Sequence, residues 1–163
     1  MITIRYEMFE TNSSSCNVLT VFTDEELEQI KNGLLVIWLP RYHNDDDEVY
    51  KTELLTQDAF IEIINKRLDF NEDICSNDTY MQICKEYWAL ATSVTTDASI
   101  DFEEEDNKLR EKYVQNESVV LICSDVCERI SRTRYELDHI IESADIYNIK
   151  GTKLYVSLWC MEC

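Results

Sequence analysis

Apolar and polar positions alternate over the first part of the chain. ITIRYEMF (2–9) and NVLTVF (17–22) are rich in β-branched and aromatic residues and flank a polar stretch from Glu10 to Ser15. The pattern predicts two paired strands. Thr23 and Glu26 have the spacing of a capping box, so a short helix is expected over 24–32, with acids in its first turn and Gly33 to end it. LLVIWL (34–39) is a continuous apolar run closed by Pro40, the signature of a buried strand.

The period then changes from two to about 3.6. Phe60, Ile63, Ile64 and Leu68 fall on one face of a helix over 57–68, with Thr56 as its cap. Tyr80, Ile83, Cys84, Tyr87, Ala91 and Val94 mark a broader stripe on a helix over 79–94, widened by Met81 and Trp88. TTDASIDFEEED (95–106) predicts an exposed loop or the first turn of a helix over 107–114. SVVLIC (118–123) has the composition of a strand. Asp125 and Glu128 open a helix to about 144 that buries Ile130, Leu137, Ile140, Ile141 and Ala144, and KLYVSLWC (153–160) alternates as a half-buried strand does. Paired strands together with βα alternation imply an α+β fold, a single domain over 1–163 with a mixed or antiparallel sheet and about four helices.

Composition supports a folded chain. Hydrophobic residues make up 45%, and nine Tyr, five Phe and three Trp are not the usage of a disordered acidic segment. Two Gly and one Pro leave turn formation mostly to Asn, Asp and Ser. No basic, apolar leader opens the sequence, and no apolar run approaches the ~20 residues of a membrane span. A cytoplasmic chain with reduced thiols is therefore expected, its seven cysteines forming an odd set.

Charge changes the picture most. The net charge is −18, and it is uneven: residues 1–106 hold 24 acids and 7 bases, residues 107–163 hold 9 and 8. Such a field repels nucleic acid and anionic membranes and attracts basic surfaces. Two blocks concentrate it, Asp45, Asp46, Asp47 and Glu48, and Asp101, Glu103, Glu104, Glu105 and Asp106. Apolar neighbours, Tyr50 beside the first and Phe102 within the second, are candidate anchors for a partner drawn in by the charge.

Candidate catalytic groups are sparse. Cys123-x5-Arg129 between an expected strand and helix has the outline of a phosphatase loop, in which a thiolate attacks phosphorus and Arg holds its oxygens. It lacks the Gly that lets backbone close on phosphate, and Asp125 and Glu128 oppose a dianion. Cys123, Cys127, Cys160 and Cys163 are the candidate zinc ligands, though only the last pair has CxxC spacing, at the end of the sequence. His43 adjoins the first acidic block, which has neither the alternating ligands nor the Gly turn of a Ca²⁺ loop, while His139 sits in an amphipathic helix pattern. No cofactor and no catalytic residue is assigned.

The opening IRYEMFETNSSSCNVL resembles uncharacterised phage and bacterial proteins that begin with an Ile-Arg pair, a spacer and Phe-Glu-Thr-Asn-Ser-Ser-Ser-x-His. Ile4-Arg5 and Phe9 to Ser15 match, and Asn17 stands where the pattern has His. The resemblance implies a phage or mobile-element origin and carries no assigned activity. With the charge, it gives the expectation of a non-enzymatic interaction protein that binds a basic host protein, a nucleic-acid-binding enzyme such as a CRISPR nuclease, and inhibits it by nucleic-acid mimicry. The alternatives are a cysteine- or zinc-dependent enzyme around Cys123 to Arg129 and an accessory protein whose acidity confers solubility.

Overall fold

The computed structural model describes residues 15–39, 49–68 and 77–162. The expected strand 2–9, the acidic residues Asp45, Asp46, Asp47 and Glu48, and His43 lie outside the described residues. The architecture is α+β, as expected, with mixed strand directions.

Strand β1 (Ser15–Thr23) runs straight into helix α1 (Asp24–Lys31). The capping box forms as the sequence predicts: the Glu26 amide donates to Thr23 Oγ1 at 3.2 Å, and the Thr23 amide donates to the Glu26 carboxylate at 3.1 Å. Gly33, at φ +71°, ends the helix, its amide donating to the Ile30 carbonyl while that of Leu34 reaches Gln29. Only Gly takes that conformation without strain. Strand β2 (Val36–Trp38) is buried at all three positions, which is why its sequence shows no alternation.

Three short strands were not foreseen. β3 (Val49–Lys51) pairs parallel with β1, β4 (Glu53–Leu55) pairs antiparallel with β2, and β5 (Asp145–Ile149) forms a hairpin with β6 (Thr152–Glu162) through Lys150 and Gly151, both at positive φ. Runs this short carry almost no periodic signal. The larger sheet has the order β3-β1-β6-β5, and nine residue pairs join β1 to β6 antiparallel. Its inner face presents Val18, Phe22 and Trp159 to Leu27 of α1 and to Ile140. Among them the Trp159 indole N–H donates to Thr20 Oγ1 at 2.9 Å, so both polar groups are buried with a partner.

The remaining helices are α2 (Gln57–Arg67), α3 (Asn77–Thr96), α4 (Phe102–Lys112) and α5 (Glu117–Ser143). Two expectations are corrected here. α4 begins at residue 102 rather than 107, and SVVLIC is the start of α5, not a strand. The apolar run looks like a strand because it is β-branched, yet its buried positions, Val119, Val120, Cys123, Val126, Cys127 and Ile130, follow the helical period. At 27 residues α5 spans about 40 Å, and it packs its first half on α3 and its second half on the sheets. Among the described residues no helix is long and apolar enough to cross a membrane.

The fully formed cap of α1 sets a first expectation. Thr23→Ala removes one side of the box and lowers unfolding free energy by about 1 kcal/mol in a denaturant titration, with little change in slope.

Candidate functional site

The acidic segment 101–106 divides into an outer and an inner part because it begins a helix. Asp101 is the N-cap of α4, its carboxylate accepting from the Glu104 amide at 3.3 Å. Glu103, Glu104 and Glu105 fill the first turn, where the helix dipole favours negative charge. Glu104 and Glu105 project into solvent, held only by exposed pairs to Lys108 at 3.4 and 2.7 Å. Such pairs contribute little and leave the carboxylates accessible to a partner.

Phe102 and Asp106 face the other way. Phe102 packs against the main core instead of standing out as an anchor. Asp106 is 5% exposed. Its Oδ1 accepts from the Tyr87 hydroxyl at 2.9 Å, and its Oδ2 accepts from Ser124 Oγ at 2.9 Å and Arg110 Nε at 2.8 Å. Arg110 also donates to Ser124 Oγ at 2.8 Å. One carboxylate thus ties α3, α4 and α5 together, and burial followed by the adjoining Asp106 pushes the Tyr87 phenol well above its ordinary value. The phenol stays protonated and donating.

With α4 fixed in this way, a groove of about 640 Å³ opens between it and α3. Its floor is apolar, with Ala89, Leu90, Ile100 and Leu109, and its rim carries Glu86, Asp101, Glu104 and Glu105. Among the described residues no basic side chain lines it, although Lys108 pairs with Glu104 and Glu105, and Lys112 with Glu86, from outside the groove. The groove's end is formed by Ser99, Ile100 and Asp101, and the Asp97 carboxylate accepts from both the amide and the hydroxyl of Ser99. A smaller depression of about 420 Å³ continues along α3 past Glu86 and Ala89 to Met81 and Asp78. Burial opposes ionisation of Glu86, but hydrogen bonds from Lys112, at 2.5 Å, and from the Tyr113 hydroxyl outweigh it and hold the carboxyl below its ordinary value.

Glu86, Leu90 and Leu109 were not singled out from sequence. Glu86, Ala89, Leu90 and Ser93 share one edge of α3 by spacing, a signal hidden by the breadth of that helix's apolar stripe. Of the other candidate residues, Tyr50 lies in β3 with its side chain outside the described residues, as do those of Cys160 and Cys163.

The Cys123 to Arg129 segment is not a phosphate loop. Both residues lie in α5, six positions and about 9 Å of rise apart, and point to different sides of the helix. The hydrogen bond with Cys84 and then burial push the Cys123 thiol up, and burial does the same to Cys127, whose Sγ donates to the Tyr87 carbonyl at 3.2 Å. A buried, protonated thiol is a poor nucleophile. Arg129 instead pairs with Asp125 at 3.2 Å and lies over the Trp38 ring at 5.3 Å, beside Arg67 at 5.7 Å. His139 is exposed on α5. Among the described residues no three His, Cys, Asp or Glu side chains are placed to hold a metal.

Compared with protein-family models, curated proteins and solved structures, the chain matches none.

The Asp106 cluster leads to two expected outcomes. Asp106→Ala, which leaves Tyr87 and Ser124 without their acceptor, costs about 3 kcal/mol in chemical denaturation. Because folding raises the Tyr87 pKa, its contribution is complete below the ordinary tyrosine value of 10.0 and is lost as pH rises beyond it. Tyr87→Phe therefore flattens the fall in stability between about pH 9 and about pH 11.

Proposed function

We propose that this chain is an acidic interaction protein that docks the groove between α3 and α4 onto a basic segment of a host nucleic-acid-binding enzyme and blocks it by occupying the site of the nucleic acid. The observation that carries this reading is the combination in one groove of a carboxylate rim, Glu86, Asp101, Glu104 and Glu105, with an apolar floor. Carboxylates on a rigid helix offer acceptor oxygens to Lys and Arg as a row of phosphates does, and speed encounter through long-range attraction. Apolar floor residues add contact area that a phosphate backbone lacks, which lets the protein outlast the nucleic acid it displaces. The resemblance of the opening residues to phage proteins fits an anti-defence role of the anti-CRISPR kind. Such blocking needs no cofactor.

Three arms of one experiment test the reading. Tagged protein in nuclease-treated host lysate is expected to retain a nucleic-acid-binding enzyme at about 0.1 M salt and to release it near 1 M, where the Debye length falls to about 3 Å. A variant carrying Asp101→Asn, Glu103→Gln, Glu104→Gln and Glu105→Gln retains the cap, because Asn also caps helices, and is expected to bind at least about tenfold more weakly with its thermal unfolding little changed. The enzyme's own nucleic acid, added in excess, competes with the wild-type protein. Retention indifferent to salt and to the four substitutions overturns the proposal and leaves the acidity as a device for solubility.

A further inference from the structure

The second surface that calls for a partner is the outer face of the four-stranded sheet. Residues opposite each other across a ladder share a face. The register therefore sets Leu19 and Val21 of β1 beside Leu158 and Val156 of β6, with Leu154 next in line and Tyr147 of β5 opposite it. None of the six belongs to a core cluster, and Val21, Leu158 and Tyr147 are 36%, 46% and 50% exposed. An antiparallel sheet with helices on one side normally turns polar side chains to the other. Here both faces are apolar.

We infer that this face is the contact of a two-fold dimer in which two copies stack their sheets back to back. Charge supports a second copy as the occupant. On a chain of net charge −18, the only charged side chains described on this face are Lys51 on the β3 edge and Asp145 on the β5 edge. A two-fold axis between the sheets and parallel to the strands lays β1 over the other copy's β6 and β3 over its β5. Each Lys51 then meets the other copy's Asp145, two residues or about 7 Å along the strand from level, within the span of a lysine side chain. An axis perpendicular to the strands would oppose like charges. The face therefore selects one arrangement of the pair.

Area agrees. The nine-residue β1–β6 ladder with its two short flanking strands covers about 400 Å² in projection at normal strand spacing. A stacked pair encloses on the order of 1,000 Å² of accessible surface, the size at which specific association begins. It would bring two polyanions together, so salt strengthens this contact by screening their repulsion. Binding at the acidic groove has the opposite salt dependence, which separates the two proposals.

The test is sedimentation equilibrium of the whole chain at about 0.1 M and about 1 M salt, up to about 100 µM protein. The expected mass is twice 19.3 kDa, with tighter association at the higher salt. Leu158→Lys and Val21→Lys, both at exposed positions, are each expected to give monomers that melt as the parent does when diluted until it dissociates. Lys51→Glu weakens the dimer about tenfold, and adding Asp145→Lys restores it. A monomer throughout, a dimer indifferent to both apolar-to-Lys variants, or a charge exchange that restores nothing overturns the inference.

Discussion

The geometry of the helical part depends on one buried carboxylate. Asp106 accepts from Tyr87 on α3, Arg110 on its own helix and Ser124 on α5, so three helices are fixed relative to a single point. A buried ion pair is weak grounds for stability, because desolvation offsets the attraction. Its value is directional. An apolar residue at 106 would pack at many rotations of α4, whereas three donors aimed at two oxygens admit one. That rotation turns Glu104 and Glu105 outward while Phe102 and Asp106 turn in, and it sets the width of the groove beside α3.

α5 supplies the second constraint. Its first half contributes Val119, Cys123, Val126 and Ile130 to the helical core, and its second half contributes Leu137 and Ile140 to the packing beneath the sheets. Trp38 of β2 is held between these regions, with the guanidinium groups of Arg67 and Arg129 near its ring and Asp125 bridging both. The sequence's one phosphatase-like spacing is thereby explained as structure: Arg129 is committed to an aromatic face and a carboxylate, and Cys123 to the core.

What could be read from sequence follows from what each signal measures. The cap and stop of α1 were legible because Thr23, Glu26 and Gly33 act locally. The α+β class and the stripes of α2 and α3 were legible because burial there is one-sided and long. SVVLIC misled because β-branched composition outweighed a period visible only when residues 119–130 are taken together. β3, β4 and β5 are three to five residues long and take their conformation from neighbours distant in sequence. For the candidate site, the acidic block was evident, but which carboxylates face out depended on where α4 begins. That start is set by Asp101 as cap, which places the first helical residue at 102, five positions before the expected 107.

The hydrogen bond from Trp159 to Thr20 has a bearing on how β1 and β6 find each other. Two strands that are apolar on both faces lose the usual safeguard against misalignment, since a shift by one residue exposes nothing that was not already apolar. A mismatched ladder here would instead bury the indole N–H and the threonine hydroxyl away from each other, at the expense of two unsatisfied polar groups. The tryptophan thus acts as a proofreading contact, rejecting wrong alignments that hydrophobicity alone would accept.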